Sequence, residues 1–233
     1  MRALRLKLYQ ETACYKKPYA FKVMETYPLP PHATVKGMLH AVLRANELIP
    51  MKISVQGTYE AMAVDYQTHY FFKNGRTAEF ALTADGLGVP RSYDHITTMP
   101  LYTHLLYGVK LLIHIHADDD LLKQMEYEIQ NRTEHLSLGR WEDLVRVDQC
   151  QIVELTKYDG EVVLPYNAYV PVGMLTPYEP YVPYKLNWTY KIVNNVRVWN
   201  KINVGYVQQG QPLYQSDSVL LDTSTGTDYA FFP

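Results

Sequence analysis

The chain has 233 residues, 47% of them hydrophobic and 20% charged, with a formal net charge of −2. That is an ordinary globular composition, long enough for one large domain or a domain with a substantial appendage, and it holds no apolar run of membrane-spanning length. Cys14 and Cys150 are the only cysteines; together with a start that reads as a strand rather than a secretory leader, they exclude a disulfide framework and point to the reduced cytosol, with no membrane partner.

In chain order, residues 2–10 alternate Leu4, Leu6 and Leu8 with Arg5, Lys7 and Tyr9, which predicts a strand. Residues 11–33 read as irregular and end in the rigid run Tyr27-Pro28-Leu29-Pro30-Pro31. A helix is expected from about Thr34, with Thr34 as N-cap and Val35, Met38, Leu39, Val42 and Asn46 on one face. Residues 51–57 and 59–72 are predicted strands. Residues 73–101, punctuated by Gly75, Gly86, Gly88, Pro90 and Pro100, read as a long excursion with a projecting hairpin near 76–84. A strand over 103–116 and a helix over 119–131 follow, the helix capped by Asp118 and buried along Leu121, Leu122, Met125 and Ile129. A glycine-containing loop over 136–144 then leads to a strand over 145–155.

The resulting β-α-β-β-α-β order is the ferredoxin-like, RRM-like pattern, an α+β fold. Residues 1–155 are thus expected to form one domain and residues 156–233 a β-rich C-terminal subdomain. Turn signals there fall at Asp159-Gly160, Asn194-Asn195 and Gln209-Gly210, and Pro-Tyr pairs at 165–166, 177–178, 180–181 and 183–184 suggest an extended crossing segment.

Charge is unevenly distributed. Residues 1–52 hold nine Lys/Arg and three acids, a balance of +6, while the remainder carries 13 − 21 = −8. Such asymmetry suggests a local anion site. Within it, Thr34, Lys36 and Gly37 lie at the expected helix start, where free N–H groups, a lysine and a glycine suit a phosphate; packing of Gly37 against a strand is the alternative. Gly139 and Arg140 offer backbone approach and phosphate contact, whereas Trp141 reads as a hydrophobic lid on a surface turn. His114-Ile115-His116-Ala117-Asp118-Asp119 approaches a metallo-hydrolase ligand pattern but lacks its last histidine, and no histidine follows His135; it is read as an ordinary half-exposed strand. No metal or cofactor is expected, and no P-loop or dinucleotide fingerprint is present.

Three features carry a family resemblance: the N-terminal strand followed by Phe21-Lys22-Val23 and the Tyr27–Leu39 proline-to-helix motif, the ferredoxin-like order, and the Leu138-Gly139-Arg140-Trp141-Glu142-Asp143-Leu144 loop. Together they resemble the CRISPR-associated "Cas five" family of the RAMP superfamily, subunits of type I Cascade surveillance complexes, most closely the type I-B branch. The likeness covers roughly residues 1–155. It implies an RRM-like core gripping the 5′ handle of a CRISPR RNA, a thumb-like hairpin within 73–101, a Cascade backbone subunit and a PAM-reading large subunit as partners, and target DNA reached through the complex. On this reading, phosphates fall to Lys22, Lys36, Gly37 and Arg140, base or sugar contacts to Tyr19, Phe21 and Tyr27, and thumb contacts to Arg76 and Arg91. One branch of the family is a metal-independent endoribonuclease; Lys110 and His114 lie in the comparable strand but at a different spacing. A non-catalytic binding subunit is therefore expected, with repeat-RNA cleavage and a purely protein-binding scaffold as the alternatives.

Overall fold

The computed structural model describes residues 1–20, 23–73, 81–82, 95–194, 196–214 and 218–233. In chain order the elements are β1 Arg2–Ala13, β2 Val23–Met24, α1 His32–Val42, β3 Lys52–Thr58, β4 Ala61–Lys73, β5 Ala81–Leu82, β6 His95–His116, α2 Asp119–Gln130, β7 Leu136–Ser137 and β8 Leu144–Lys157. Then come β9 Val162–Val163, β10 Asn167–Pro171, a 3-10 turn Val172–Met174, β11 Val182–Val193, β12 Val196–Val207, β13 Pro212–Leu213, β14 Leu220–Asp222 and β15 Tyr229–Ala230. Among the described residues the molecule is mostly sheet with two α-helices, as an α+β reading requires.

The main sheet runs β11-β12-β10-β3-β6-β1-β8-β14-β15, with β2, β4 and β5 on β6 and β7 on β8. Its centre, β3-β6-β1-β8, is antiparallel throughout. Alternation places Leu4, Leu6, Leu8, Ile53, Val55, Leu111, Ile113 and Ile115 on one face. Val35, Met38, Leu39 and Val42 of α1 and Leu122, Met125 and Ile129 of α2 close over that face and form the main core, with smaller clusters elsewhere, one of them gathered by residues 162–231. Strands from the C-terminal part extend both edges of this sheet, β10 to β12 beside β3 and β14 with β15 beside β8.

Helix α1 starts two residues earlier than expected. Pro31, not Thr34, is the N-cap, with φ −56° and ψ 147°, and no side chain caps the helix. Proline's fixed φ lets the helix begin at the next residue, and its missing N–H leaves one fewer donor to satisfy. The backbone N–H groups of Thr34 and Val35 both donate to the Pro31 carbonyl, so Lys36 and Gly37 fall in the second turn. Asn46 lies beyond the helix end and is exposed.

Strand β6 serves two structures. Its C-terminal half pairs with β1 and β3, and its N-terminal half pairs with β4 from Ala61↔Tyr107 to Lys73↔His95. The change occurs at Gly108, which has φ +59° and would drive a Cβ to 2.6 Å from the Glu60 carboxyl carbon. The β4–β6 arm thus begins at residue 61, well before the expected 73. Met62, Val64, Tyr66 and Tyr102 on it are exposed. The expected hairpin near 76–84 lies largely outside the described residues.

The reverse face of the sheet is covered by residues 219–233. Arg5 Nη1 donates to Asp222 Oδ2 at 2.7 Å and to Ser224 Oγ at 2.6 Å, and His114 Nε2 lies 3.4 Å from Asp222 Oδ2. Lys7 pairs with Asp228 at 2.9 Å, Gln56 Nε2 donates to the Tyr229 carbonyl at 2.5 Å, and the Phe231 N–H donates to Ser54 Oγ at 2.9 Å. Burial alone would raise the Asp222 pKa, but hydrogen bonds from His114, Ser224 and Arg5 hold it well below the usual carboxylate range. His114 is therefore fully buried, not half exposed as its strand pattern suggested, because the tail caps its face. His116 Nδ1 donates to the Arg2 carbonyl at 2.8 Å.

Candidate nucleic-acid interface

The basic N-terminal segment does not present its charge as one surface. Arg5 and Lys7 face Asp222 and Asp228, Arg2 pairs with Asp119 at 2.7 Å, and Lys17 pairs with Glu25 at 3.1 Å. Much of the +6 is thus balanced by acids distant in sequence. The local count overstated the free positive charge, because a count along the chain cannot see ion pairs made across the sheet.

Lys36 is buried under the β11–β12 hairpin. Its ammonium lies 3.2 Å from the centroid of the Trp188 ring, and Nζ donates to the Trp188 carbonyl at 3.2 Å. Burial lowers its pKa to about 8. Gly37 is exposed, and a Cβ there would meet nothing within 4 Å, so it does not pack against a strand. Thr34 is partly exposed. Tyr27 is half-buried and packs edge-on against Tyr184, with ring centroids 5.5 Å apart. Tyr19 is 89% exposed, with φ +64°. Phe21, Lys22, Arg76 and Arg91 lie outside the described residues.

The Gly139-Arg140 loop is a clasp. The fully buried Asp143 carboxylate accepts from the Cys14 N–H at 2.9 Å, the Arg140 N–H at 2.8 Å and Arg140 Nη2 at 2.7 Å. Arg140 also reaches Glu142 at 2.9 Å. Gln10 Nε2 donates to the Leu138 and Asp143 carbonyls. Gly139, at φ +114°, would place a Cβ 2.7 Å from Asp143 Oδ2. The loop therefore ties the end of β1 to the start of β8, and the Arg140 guanidinium is held by two carboxylates. Trp141 is not a lid: it is 85% exposed. The turn folds around the Asp143 carboxylate, which directs the intervening indole outward.

What sequence reasoning missed is the partner of Lys36. The hairpin residues 182–207 contain Lys185, Lys191, Arg197 and Lys201 and no acid. Tyr190 and Trp199 are directly paired across it, with ring centroids 5.3 Å apart, and the Arg197 guanidinium lies 4.7 Å from the Tyr190 centroid. The register slips at Trp188, between Asn187 and Thr189. Between this hairpin and α1 lies a cleft of about 90 Å³ lined by Lys36, Gly37, Trp188, Tyr190, Arg197 and Trp199. A second cavity, of about 400 Å³, shares Lys36 and Trp188 with this cleft and is bounded by residues 48–52 and His116. Aromatic rings interleaved with cations and free of acids suit stacked bases and phosphates. The available signal was the acid-free run 182–207, masked by the −8 of the remainder as a whole.

The profile of the family described as CRISPR-associated protein (Cas_Cas5) matches residues 3–204. The chain belongs to this family. No curated protein matches it. A solved structure titled "CRISPR RNA-guided surveillance complex" contains a chain similar in fold, with a TM-score of 0.57 and 15% identity, covering 91% of this chain and 92% of the other. A crystal structure of a CRISPR protein from Archaeoglobus fulgidus gives a TM-score of 0.50 at 11% identity, covering 99% and 98%. The family match includes the Lys36 motif, the Gly139-Arg140 clasp and most of the β11–β12 hairpin, so the cleft lies within the matched region. Among the described residues, no helix is long and apolar enough to cross a membrane.

Proposed function

We propose that the chain is a non-catalytic subunit of a Cascade-type CRISPR RNA-guided surveillance complex that caps the 5′ handle of the CRISPR RNA and joins the backbone to the PAM-reading large subunit. The observation that carries this is the family match over residues 3–204. The central order β3-β6-β1-β8, with α1 following β1 and α2 following β6, favours a ferredoxin-like core. The β4–β6 arm is the thumb, offered to the neighbouring backbone subunit through Met62, Val64, Tyr66 and Tyr102, whose exposure suits a protein contact. Trp141 and Leu144, also exposed, suit the large subunit. Target DNA is met through the assembled complex. A binding role fits the burial of His114, which has no solvent access for proton transfer to a ribose.

The test is reconstitution of the complex with and without this chain, followed by ribonuclease footprinting of the guide. The handle should be protected only when the chain is present, and the lone folded chain should release no product from repeat RNA in EDTA. Equal protection in its absence would remove the capping role, and EDTA-resistant cleavage would make it a nuclease.

A further inference from the structure

We propose that the cleft between α1 and the β11–β12 hairpin holds one unpaired nucleotide, its base stacked on Trp199 and its phosphate on Arg197. The inference rests on the RNA-binding reading above. It does not follow from the sequence motifs, since Trp199 and Arg197 lie outside all of them.

Three large aromatic rings, those of Trp188, Tyr190 and Trp199, line the cleft beside the His40 imidazole. Such a group of aromatics can hold a cationic ligand. Here, however, Lys36 already occupies the Trp188 ring and Arg197 lies over Tyr190. The protein's own cations fill those positions, and no acid lines the cleft. A ligand that carries negative charge and a flat ring is what remains favourable. Among the described residues, Trp199 is the one ring of the three without a cation over it. It is held at its angle by Tyr190, 65° from parallel, and so presents a fixed platform. The space, about 90 Å³, is too small to enclose a nucleotide. It admits the edge of one planar base, while sugar and phosphate stay outside near Arg197. The open space at Gly37 keeps the helix side clear for the backbone of that nucleotide. Lys36 underlies the site as a buried positive charge, still protonated at neutral pH because its pKa, though lowered, is about 8.

The experiment is an abasic scan. Handle RNAs with a single abasic residue at each position are titrated against the native chain, Trp199→Ala and Trp199→Phe, with folding checked by thermal melting. At one position the abasic RNA should bind the native chain about 5- to 150-fold more weakly, the range given by stacking of one base. Trp199→Ala should weaken intact RNA by a similar factor and show no further loss at that position, and Trp199→Phe should restore most of it. Arg197→Gln should reduce the salt slope by about one phosphate. If the native chain binds intact RNA but no position couples to Trp199, the cleft assignment fails while the capping role stands. If Trp199→Ala binds RNA normally and instead fails to enter the complex, the cleft is a protein contact and the proposal is overturned. If the native chain binds no handle RNA, both readings fall.

Discussion

Asp143 and His32 show how single buried groups set the local order. Asp143 satisfies a loop and an arginine at once and has no solvent access. Asp143→Asn should therefore destabilise the chain by about 2–4 kcal/mol, somewhat below the cost of stranding a buried charge outright because Glu142 still pairs with Arg140; a urea midpoint within error of the native one would contradict this. His32 is buried between Tyr169 and Trp188, with Nδ1 unpartnered. Burial, and then the Lys36 charge, lower its pKa to about 3. In the unfolded chain it protonates near its ordinary value of about 6.5. Its contribution is thus complete above pH 6.5 and is lost as pH falls toward 3. His32→Phe, which fits an aromatic site, should remove about 2 kcal/mol of the stability loss between pH 7 and 4.5; an unchanged loss would show that His32 does not govern this window. The motif around Lys36 was legible as unusual, but its role was not. What decides that role is Trp188, 152 residues away, and no local spacing reports such a contact.

At the scale of elements, the long strands and helices of the first part were legible because they alternate or repeat with a strong period; the structure moves most of their ends by only a few residues, but β6 begins at His95, eight residues before the expected start, and the two-residue strands β2, β5 and β7 carried no such signal. The start of α1 was misplaced because a proline N-cap gives no hydroxyl or carboxyl signal. Its end was also unmarked. Leu43 is the C-cap, and Arg44, at φ +50°, takes the left-handed position where glycine is usual. Its N–H donates to the Ala41 carbonyl at 3.2 Å, and that of Ala45 donates to His40 at 2.9 Å, completing a Schellman motif. Arg44→Gly should raise stability by about 0.5–1 kcal/mol, since the left-handed conformation costs an arginine more than a glycine; a lower melting temperature would contradict it. Gly108 is the opposite case. Gly108→Ala both strains a φ of +59° and collides with Glu60, so a loss of about 1–3 kcal/mol is expected, read as a lower urea midpoint.

For the whole molecule, the sequence divides near residue 155, yet the second part completes the sheet of the first on both edges and covers its reverse face. Asp222→Ala should cost about 3–5 kcal/mol by stranding Arg5 in a buried site, and limited proteolysis should then cut the tail beyond residue 219 first. This long-range pairing also explains why the charge asymmetry misled: Arg5 and Lys7 of the first strand are paired with Asp222 and Asp228 of the last segment. On the proposed RNA-binding role, the surface that remains is the cation-rich, acid-free hairpin against α1, not the first 52 residues taken as a block. The most direct test of the capping role is the affinity of the purified chain for handle-bearing RNA between 50 and 200 mM salt. Several phosphate contacts predict a linear fall of log affinity with log salt, at a slope of about −0.7 for each phosphate on a single strand, and preference for the handle over a scrambled RNA. Affinity that is independent of salt, or equal for the scrambled RNA, would contradict it.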